Sequence, residues 1–424
     1  MRLLYSLIWW LILPLAVLRL YIRGRKEPGY RQHIPERLGF FPSIASSPQR
    51  IWVHAVSVGE TRAAEPLVRA LLSRYPDCDI LLTHMTPTGR ATGHSLFGTE
   101  KRLTQVYLPY DTNWMMSRFI RHYRPALCIL LETEIWPNLI AQCVKHHVPL
   151  ALVNARLSER SLKKGKKIES IMNEAARGFS VVAAQTRTDA DRLSLFGANN
   201  IAVTGSVKFD ITPPEEAVNK GKMLRKCIGE RPVLMCASTR DGEEELILDA
   251  LDKLDSKALL LLVPRHPQRF EEIAGQIQAR KIHMTRRSQL NELSSSTMSK
   301  DVRILLGDSM GEMFMYYAAC DVAFIGGSLK KLGGQNLIEA CALGKPVLIG
   351  QHTFNFEAIT QDAVKAGAAL RIQTAVEMMD EANSLFRQGW LRNEMGMKAQ
   401  EFAESQHGAT DRTMALLAPL LEKK

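Results

Sequence analysis

Along most of the chain, short apolar runs alternate with longer stretches in which apolar positions recur every three or four residues. Residues 51–76, IWVHAVSVGETRAAEPLVRALLSRYP, set the pattern. An apolar, largely β-branched run (Ile51, Trp52, Val53, Val56, Val58) stops at Gly59, Glu60 follows, and Ala63, Ala64, Leu67, Ala70 and Leu71 then recur at helical spacing. The pattern predicts strand, tight turn, helix. The alternation continues through DILLTHMT, TQVYLP, ALCILLE, VPLALVN, SVVAAQ and NIAVTGS, each with an amphipathic segment before the next. Such a series predicts a parallel sheet covered by helices on both faces. The rhythm breaks at KFDITPPEEAVNK, where Pro213 and Pro214 with flanking acids read as a linker that opens a new helix. A second series then runs through RPVLMCAS, ALLLLVPR, VRILLGD, VAFIGGS, KPVLIGQ and AALRIQ, with a polar loop, SSSTMSK, at residues 294–300. The expected fold is therefore α/β: two doubly wound halves, residues 51–210 and 211–424. Ligands of such sheets gather outside the carboxyl ends of the strands, so two facing halves would hold theirs in a cleft.

The amino terminus departs from this pattern. Residues 3–18, LLYSLIWWLILPLAVL, carry no charge and are followed by Arg19, Arg23, Arg25 and Lys26. At ~1.5 Å per residue the run covers about 24 Å, short of a ~30 Å hydrocarbon core. Residues 19–22, with Arg19 snorkelling, bring it to about that length. No small-x-small cleavage site precedes the basic cluster, so residues 1–22 are expected to be a retained anchor or interfacial helix rather than a removed signal. A basic connector, 23–50, leads into the first half. The basic flank would hold everything downstream on the cytoplasmic side.

Composition narrows the partners. At 424 residues, 46% apolar and 23% charged, the chain is globular and long enough for two domains. Lysine and arginine exceed the acids by 55 to 44, a net charge of +11, which favours an anionic partner. The seven cysteines are scattered without a CxxC pair, which fits a reducing compartment and argues against zinc.

The candidate chemistry lies at the strand-to-helix turns. Glu60 stands on the first turn of its helix, where the dipole favours an ionised carboxylate by about 0.3–1 kcal/mol. An ionised acid facing a cleft can act as a general base, though a first-turn acid can equally be a simple cap. LLETEIWPNLI offers Glu132 and Glu134 at another strand end, again as chemistry or as capping. TGSVKFD puts Lys208 beside the linker, a solvated charge or a stabiliser of developing negative charge. In the second half, LVPRHPQRF brings Arg265 and His266 to a strand end, suited to phosphate. LLGDSMGEMF forms a turn from Gly307 to Glu312. GGSLKKLGGQNLIEA combines Gly326, Gly327, Gly333 and Gly334 with a helix expected to begin near Gln335, Asn336 and Glu339 sharing a face near its start. There a glycine loop could hold phosphate while Glu339 accepts ribose hydroxyls. GxGxxG after a strand, GxxxxGK[ST] and HExxH are absent from the sequence. Asp189 and Asp191 fall within a helical run, so a metal-diphosphate site is not expected. The basic run SLKKGKKIE lacks interleaved aromatics, against nucleic acid and in favour of a solvated or lipid-facing helix.

Taken together, HAVSVGE, ETEIWPN, GSVKFD, PRHPQRF, GDSMGEM and GGQNLIEACALGKPV…NF resemble, in order, the 3-deoxy-D-manno-octulosonic acid (Kdo) transferases of lipopolysaccharide assembly. The resemblance covers nearly the whole chain. It implies a GT-B architecture, CMP-Kdo as donor, and the anionic tetraacyl disaccharide bisphosphate precursor of lipid A as acceptor, at the inner membrane with its lipids. It also implies that Glu60 is the general base and that Glu132 and Lys208 stabilise the transition state, with Glu134 close enough to leave the first of these open. Arg265, His266, Met310, Gly311, Glu312, Gly334, Gln335, Asn336 and Glu339 fall in its CMP-binding turns. No metal or other cofactor is implied. The other readings are a membrane-associated GT-B transferase using a UDP-sugar, a nucleotide-sugar epimerase, and a non-catalytic scaffold for acidic lipid.

Overall fold

The computed structural model describes residues 2–25, 27–42, 49–210, 212–290 and 297–422. Lys26 and residues 294–296 of the polar loop lie outside the described residues. The chain forms two compact units, Met1–Asp210 with Gln406–Lys424, and Ile211–Ser405.

The first unit is built on strands β1 (Gln49–His54), β2 (Cys78–His84), β3 (Leu103–Tyr107), β4 (Leu127–Leu131), β5 (Leu150–Ala155), β6 (Val181–Ala184) and β7 (Ile201–Val203). They form one parallel sheet in the order β3-β2-β1-β4-β5-β6-β7. Ile51 pairs with Ile80 on one side and Leu127 on the other. Because helices cover both faces, a central strand such as β4, LCILL, is buried at every position and reads as a continuous apolar run. Successive residues feed opposite cores: Trp52 packs with Phe119 and Leu139, Ile51 with Leu67 and Leu71. The strand order reverses between β1 and β4, and that reversal opens a crevice at their carboxyl ends.

The expected span of the second half, 211–424, needs correction at its end. The helix Ala409–Leu421 belongs to the first unit, where Met414, Leu417 and Leu421 join the core beneath the helix Val58–Arg74. Its start is held by Asp210, whose carboxylate accepts the backbone N–H of Ala409 (3.2 Å) and that of Thr410. An amphipathic pattern shows that a helix covers a sheet but not which one.

The helix Arg2–Arg23 is long and apolar enough to cross a membrane. One face of it is nonetheless docked on the first unit. The Tyr5 hydroxyl donates to Asp111 (2.9 Å), Ser6 donates to Asn138 (3.0 Å), and Leu20 is buried with Tyr110 and Met115.

The second unit contains β8 (Val233–Thr239), β9 (Leu259–Pro264), β10 (Met284–Arg286), β11 (Ile304–Leu306), β12 (Val322–Ile325), β13 (Val347–Ile349) and β14 (Ala369–Arg371). They too form a parallel sheet, in the order β10-β11-β9-β8-β12-β13-β14. Six of these strands follow the apolar runs of the sequence. β10, the three-residue edge strand MTR, is half-buried throughout and carries no such signal. Here the order reverses between β8 and β12.

Candidate active site

The reversal in the first sheet brings together the ends of β1 and β4. After β1 the chain turns through residues 55–57 into the helix Val58–Arg74, with Glu60 on its first turn. After β4, Glu132 still donates its N–H to Val153 (2.9 Å), extending the ladder by one residue. It then adopts a left-handed backbone (φ 57°) that ends the strand. Lys208 comes from a 3-10 turn, Val207–Phe209, beyond β7. Ser206 fixes that turn to the end of β5 by donating to Asn154 (3.0 Å). Lys208 Nζ meets Glu132 Oε1 at 2.5 Å. Glu134 accepts the indole N–H of Trp136 at 2.6 Å, and that ring stands edge-on to His54 at 6.3 Å. Burial pushes His54 down to about 3, so it is neutral. Glu60, Glu132, Glu134 and Lys208 thus form one cluster at the switch of strand order.

The expectation that Glu60 is ionised at neutral pH is overturned. Its Oε2 accepts the N–H of Val56 at 2.7 Å, a capping bond that favours the charge. Burial, together with the neighbouring Glu134, outweighs that bond and pushes the carboxyl up to about 8. The helix end is the weaker influence because it is worth about 0.3–1 kcal/mol at an exposed site, whereas a carboxylate largely withdrawn from water loses much of its hydration. Glu134 is raised by burial as well, with the Trp136 bond opposing.

In the second unit the reversal joins the ends of β8 and β12 through a residue that the sequence reading passed over. Glu243, fully buried, accepts N–H groups from Gly327 (2.6 Å), Leu329 (2.9 Å) and Arg240 (2.9 Å), so its carboxylate ties the two strand-end loops together. Burial raises it and these three bonds oppose the rise. The signal was present in STRDGEEE, a strand end followed by a glycine at φ 79° and an acidic helix start. Its partner loop, however, depends on strand order. Gly327 has a positive φ of 70°, and a methyl placed on it would touch Gln335 Nε2 at 3.4 Å and Arg240 Cδ at 3.5 Å, ordinary contact distances. Gly334 donates to the Gly327 carbonyl at 2.7 Å, and Asn355 donates to that of Gly333 at 3.1 Å. Both glycines have positive φ, 93° at Gly333 and 75° at Gly334.

Arg265 follows β9 and its N–H reaches the Thr239 carbonyl at 2.9 Å, which places PRH beside the β8 loop. His266 is held below the ordinary histidine value by desolvation and by the charges of Arg265 and Arg240. Gln335 and Gly334 therefore lie with Arg240 around Gly327, and Arg265 and His266 join them on the β8 side. The turn after β11 holds Met310, exposed, Gly311 at φ 80°, and Glu312, which accepts Arg287 at 2.8 Å. The expected helix at Gln335 begins instead at Ile338 and runs five residues to Ala342. Asn336 precedes it, accepting the Ile338 N–H at 3.1 Å, so Asn336 and Glu339 do not share a helical face. The positive-φ glycines keep residues 333–337 out of the helix. Glu339 is on the first turn, where its charge helps burial hold the Tyr317 hydroxyl well above its ordinary value.

The sequence profile of a family described as 3-Deoxy-D-manno-octulosonic-acid transferase (kdotransferase) matches residues 32–211. The chain is 44% identical over 416 residues to the 3-deoxy-D-manno-octulosonic acid transferase of Bordetella pertussis, covering 95% of this chain and 96% of that one. It is 37% identical over 430 residues to the protein of the same name from Haemophilus influenzae, covering 100% and 99%. Among solved structures, a glycosyltransferase from Rickettsia africae superposes with a TM-score of 0.60 at 13% identity, over 90% of this chain and 100% of that one. UDP-GlcNAc 2-epimerase from Neisseria meningitidis gives 0.59 at 13%, over 88% and 100%. At such identity the likeness concerns the fold alone, which is GT-B.

Proposed function

This chain belongs to the Kdo transferases, glycosyltransferases of lipopolysaccharide biosynthesis, and we propose that it moves Kdo from CMP-Kdo to the tetraacyl disaccharide bisphosphate precursor of lipid A, releasing CMP with inversion. The observation that carries this reading is the cluster of Glu60, Glu132 and Lys208 at the strand-order switch of the first unit. Glu60 is the base. It takes the proton of the primary hydroxyl of the acceptor's distal glucosamine as that oxygen attacks the anomeric carbon of Kdo. A carboxyl poised near 8 is a stronger base once ionised than an ordinary one, which suits an alcohol. Lys208, paired with Glu132, stabilises charge in the transition state.

The second unit holds the donor. Gly327, Gly333 and Gly334 let backbone approach the nucleotide, while Arg265 and Arg240 offer positive charge to its phosphate. The cationic side chains and loop N–H groups suffice for a single phosphate, so no resident metal enters this reading. The net charge of +11 and the apolar first helix suit an anionic lipid acceptor and support a reading in which the enzyme works on the cytoplasmic side of the inner membrane.

The test is mass spectrometry of the tetraacyl precursor after incubation with this protein and CMP-Kdo. Kdo-bearing lipid is expected, and the number of Kdo units added is read directly. Unmodified lipid from protein that binds CMP would point to another acceptor, and failure to bind CMP would overturn the donor assignment. CMP-Kdo consumed without acceptor would instead favour the epimerase reading.

A further inference from the structure

The docked helix Arg2–Arg23 has two faces of different character. The inward face meets the first unit along its length: Tyr5 and Ser6 near one end bond to Asp111 and Asn138, and Leu20 near the other is buried with Met115. Fifteen residues at ~1.5 Å each separate these contacts, about 22 Å of helix lying along folded protein. The outward face is apolar without interruption, with Leu4, Leu7, Leu11, Leu15 and Leu18 all more than half exposed, and it ends at the exposed Arg19, Arg23 and Arg25.

We infer that this helix does not cross the membrane but lies in the plane of the interface, as the lipid-facing edge of the first unit. Asp111 and Asn138 are fully buried and belong to one polar knot. Asp111 accepts the N–H groups of Asn138 (3.1 Å) and Leu139 (2.8 Å), the first residues past ETEIWP, besides the Tyr5 hydroxyl. A helix spanning the bilayer would carry Tyr5 and Ser6 into hydrocarbon without these partners, and would cost buried Asp111 the Tyr5 hydroxyl and buried Asn138 the Ser6 hydroxyl. Keeping the contacts in a spanning arrangement would require irregular backbone of the first unit inside the bilayer, which lipid does not tolerate. In the interfacial arrangement every bond is kept, the leucine face enters the acyl boundary, and the arginines meet anionic headgroups. Trp114 and Phe40, both exposed with Arg118 over their rings, continue the amphipathic surface beside Met115 and Leu38 of the same small core. The occupant of this face is therefore an anionic lipid surface.

Two measurements test this on the full chain. In the first, Arg2→Cys protein is bound to sealed vesicles of phosphatidylethanolamine and phosphatidylglycerol, with the catalytic units outside, and treated with a membrane-impermeant maleimide. All seven native cysteines are buried, so the background is low. Labelling from outside is expected, and labelling only after detergent would overturn the inference. In the second, Ser6→Cys with Asn138→Cys is oxidised on the same vesicles. An intramolecular disulfide in vesicle-bound protein is expected, whereas its absence in protein that still binds vesicles means the helix has left the unit and sinks the idea. Leu11→Glu with Leu15→Glu should weaken vesicle partitioning about tenfold or more. A changed oligomeric state with unchanged vesicle binding would assign the face to a second copy of the chain instead. Kdo transfer to detergent-dispersed acceptor separates a failure here from a failure of the enzymatic assignment.

Discussion

At the scale of single residues, Glu60 is the position where burial and charge decide chemistry. With its carboxyl near 8, it is only about a tenth ionised at neutral pH. The transfer rate at subsaturating acceptor should therefore rise with pH and level off above about 8. A rate already flat from pH 6 upward would remove Glu60 as the titrating base. Glu60→Gln should lower kcat by about 10²–10⁴ while leaving CMP affinity unchanged in calorimetry. The neighbours shift the midpoint in opposite senses. Glu134 raises Glu60 and Lys208 lowers it, so Glu134→Gln should move the profile to lower pH and Lys208→Met to higher pH, read from residual activity. The same burial bears on stability. Because the folded carboxyl lies above its ordinary 4.5, the folded chain holds the extra proton between there and about 8. The resulting penalty is absent below that window and complete above it. The sequence showed that an acid stands at this turn but not its proton affinity, since that depends on how deeply the fold buries it and on charges more than seventy residues away, Glu134 and Glu132 raising it and Lys208 lowering it.

At the scale of elements, the strand ends explain what could and could not be read. Parallel strands buried on both faces announce themselves as apolar runs, and thirteen of the fourteen strands among the described residues follow them; β10 does not. Strand order, which makes the sites, has no local signature. Gly326 and Glu243 acquire their roles only because β12 lies beside β8. A methyl on Gly326 would stand 2.6 Å from the Ser238 carbonyl oxygen and 2.7 Å from Thr239 Cα, backbone that cannot step aside. Gly326→Ala should cost about 1–3 kcal/mol and weaken CMP binding at least several-fold while leaving the pH midpoint of Glu60 in place. Unchanged CMP affinity would show that the β8 and β12 loops do not form the nucleotide site. The helix Pro137–Lys145 tests the other sheet. Asp111 accepts two N–H groups at its start, so Asp111→Ala should destabilise by about 1–2 kcal/mol in urea titration, more than Tyr5→Phe, which removes a single donor.

At the scale of the whole molecule, the chain leaves the first unit at Asp210 and re-enters it at Gln406. The first half of the sequence is thus not a self-contained folding unit in the way the linker Pro213–Pro214 suggests, whereas the second unit is one continuous segment. The final helix places Met414, Leu417 and Leu421 under the helix that carries Glu60. Each such side chain contributes about 1.5–3 kcal/mol on burial. Their sum rivals the ~5–15 kcal/mol net stability of an ordinary domain. A chain ending at Ser405 should therefore lose the first unit's fold at much lower denaturant while the second unit still binds CMP. Tryptophan fluorescence separates the two: Trp52 is fully buried in the first unit, and the second unit's Trp390 is 68% exposed. An early transition in the tryptophan signal, with CMP binding persisting beyond it, is the expected result. Leu417→Ala in the full chain should shift the same transition by about 2–5 kcal/mol without a change in CMP affinity. If the truncated chain kept the Trp52 transition of the full chain, the last helix would be a passenger on the first unit, and the support under Glu60 would have to come from the sheet alone.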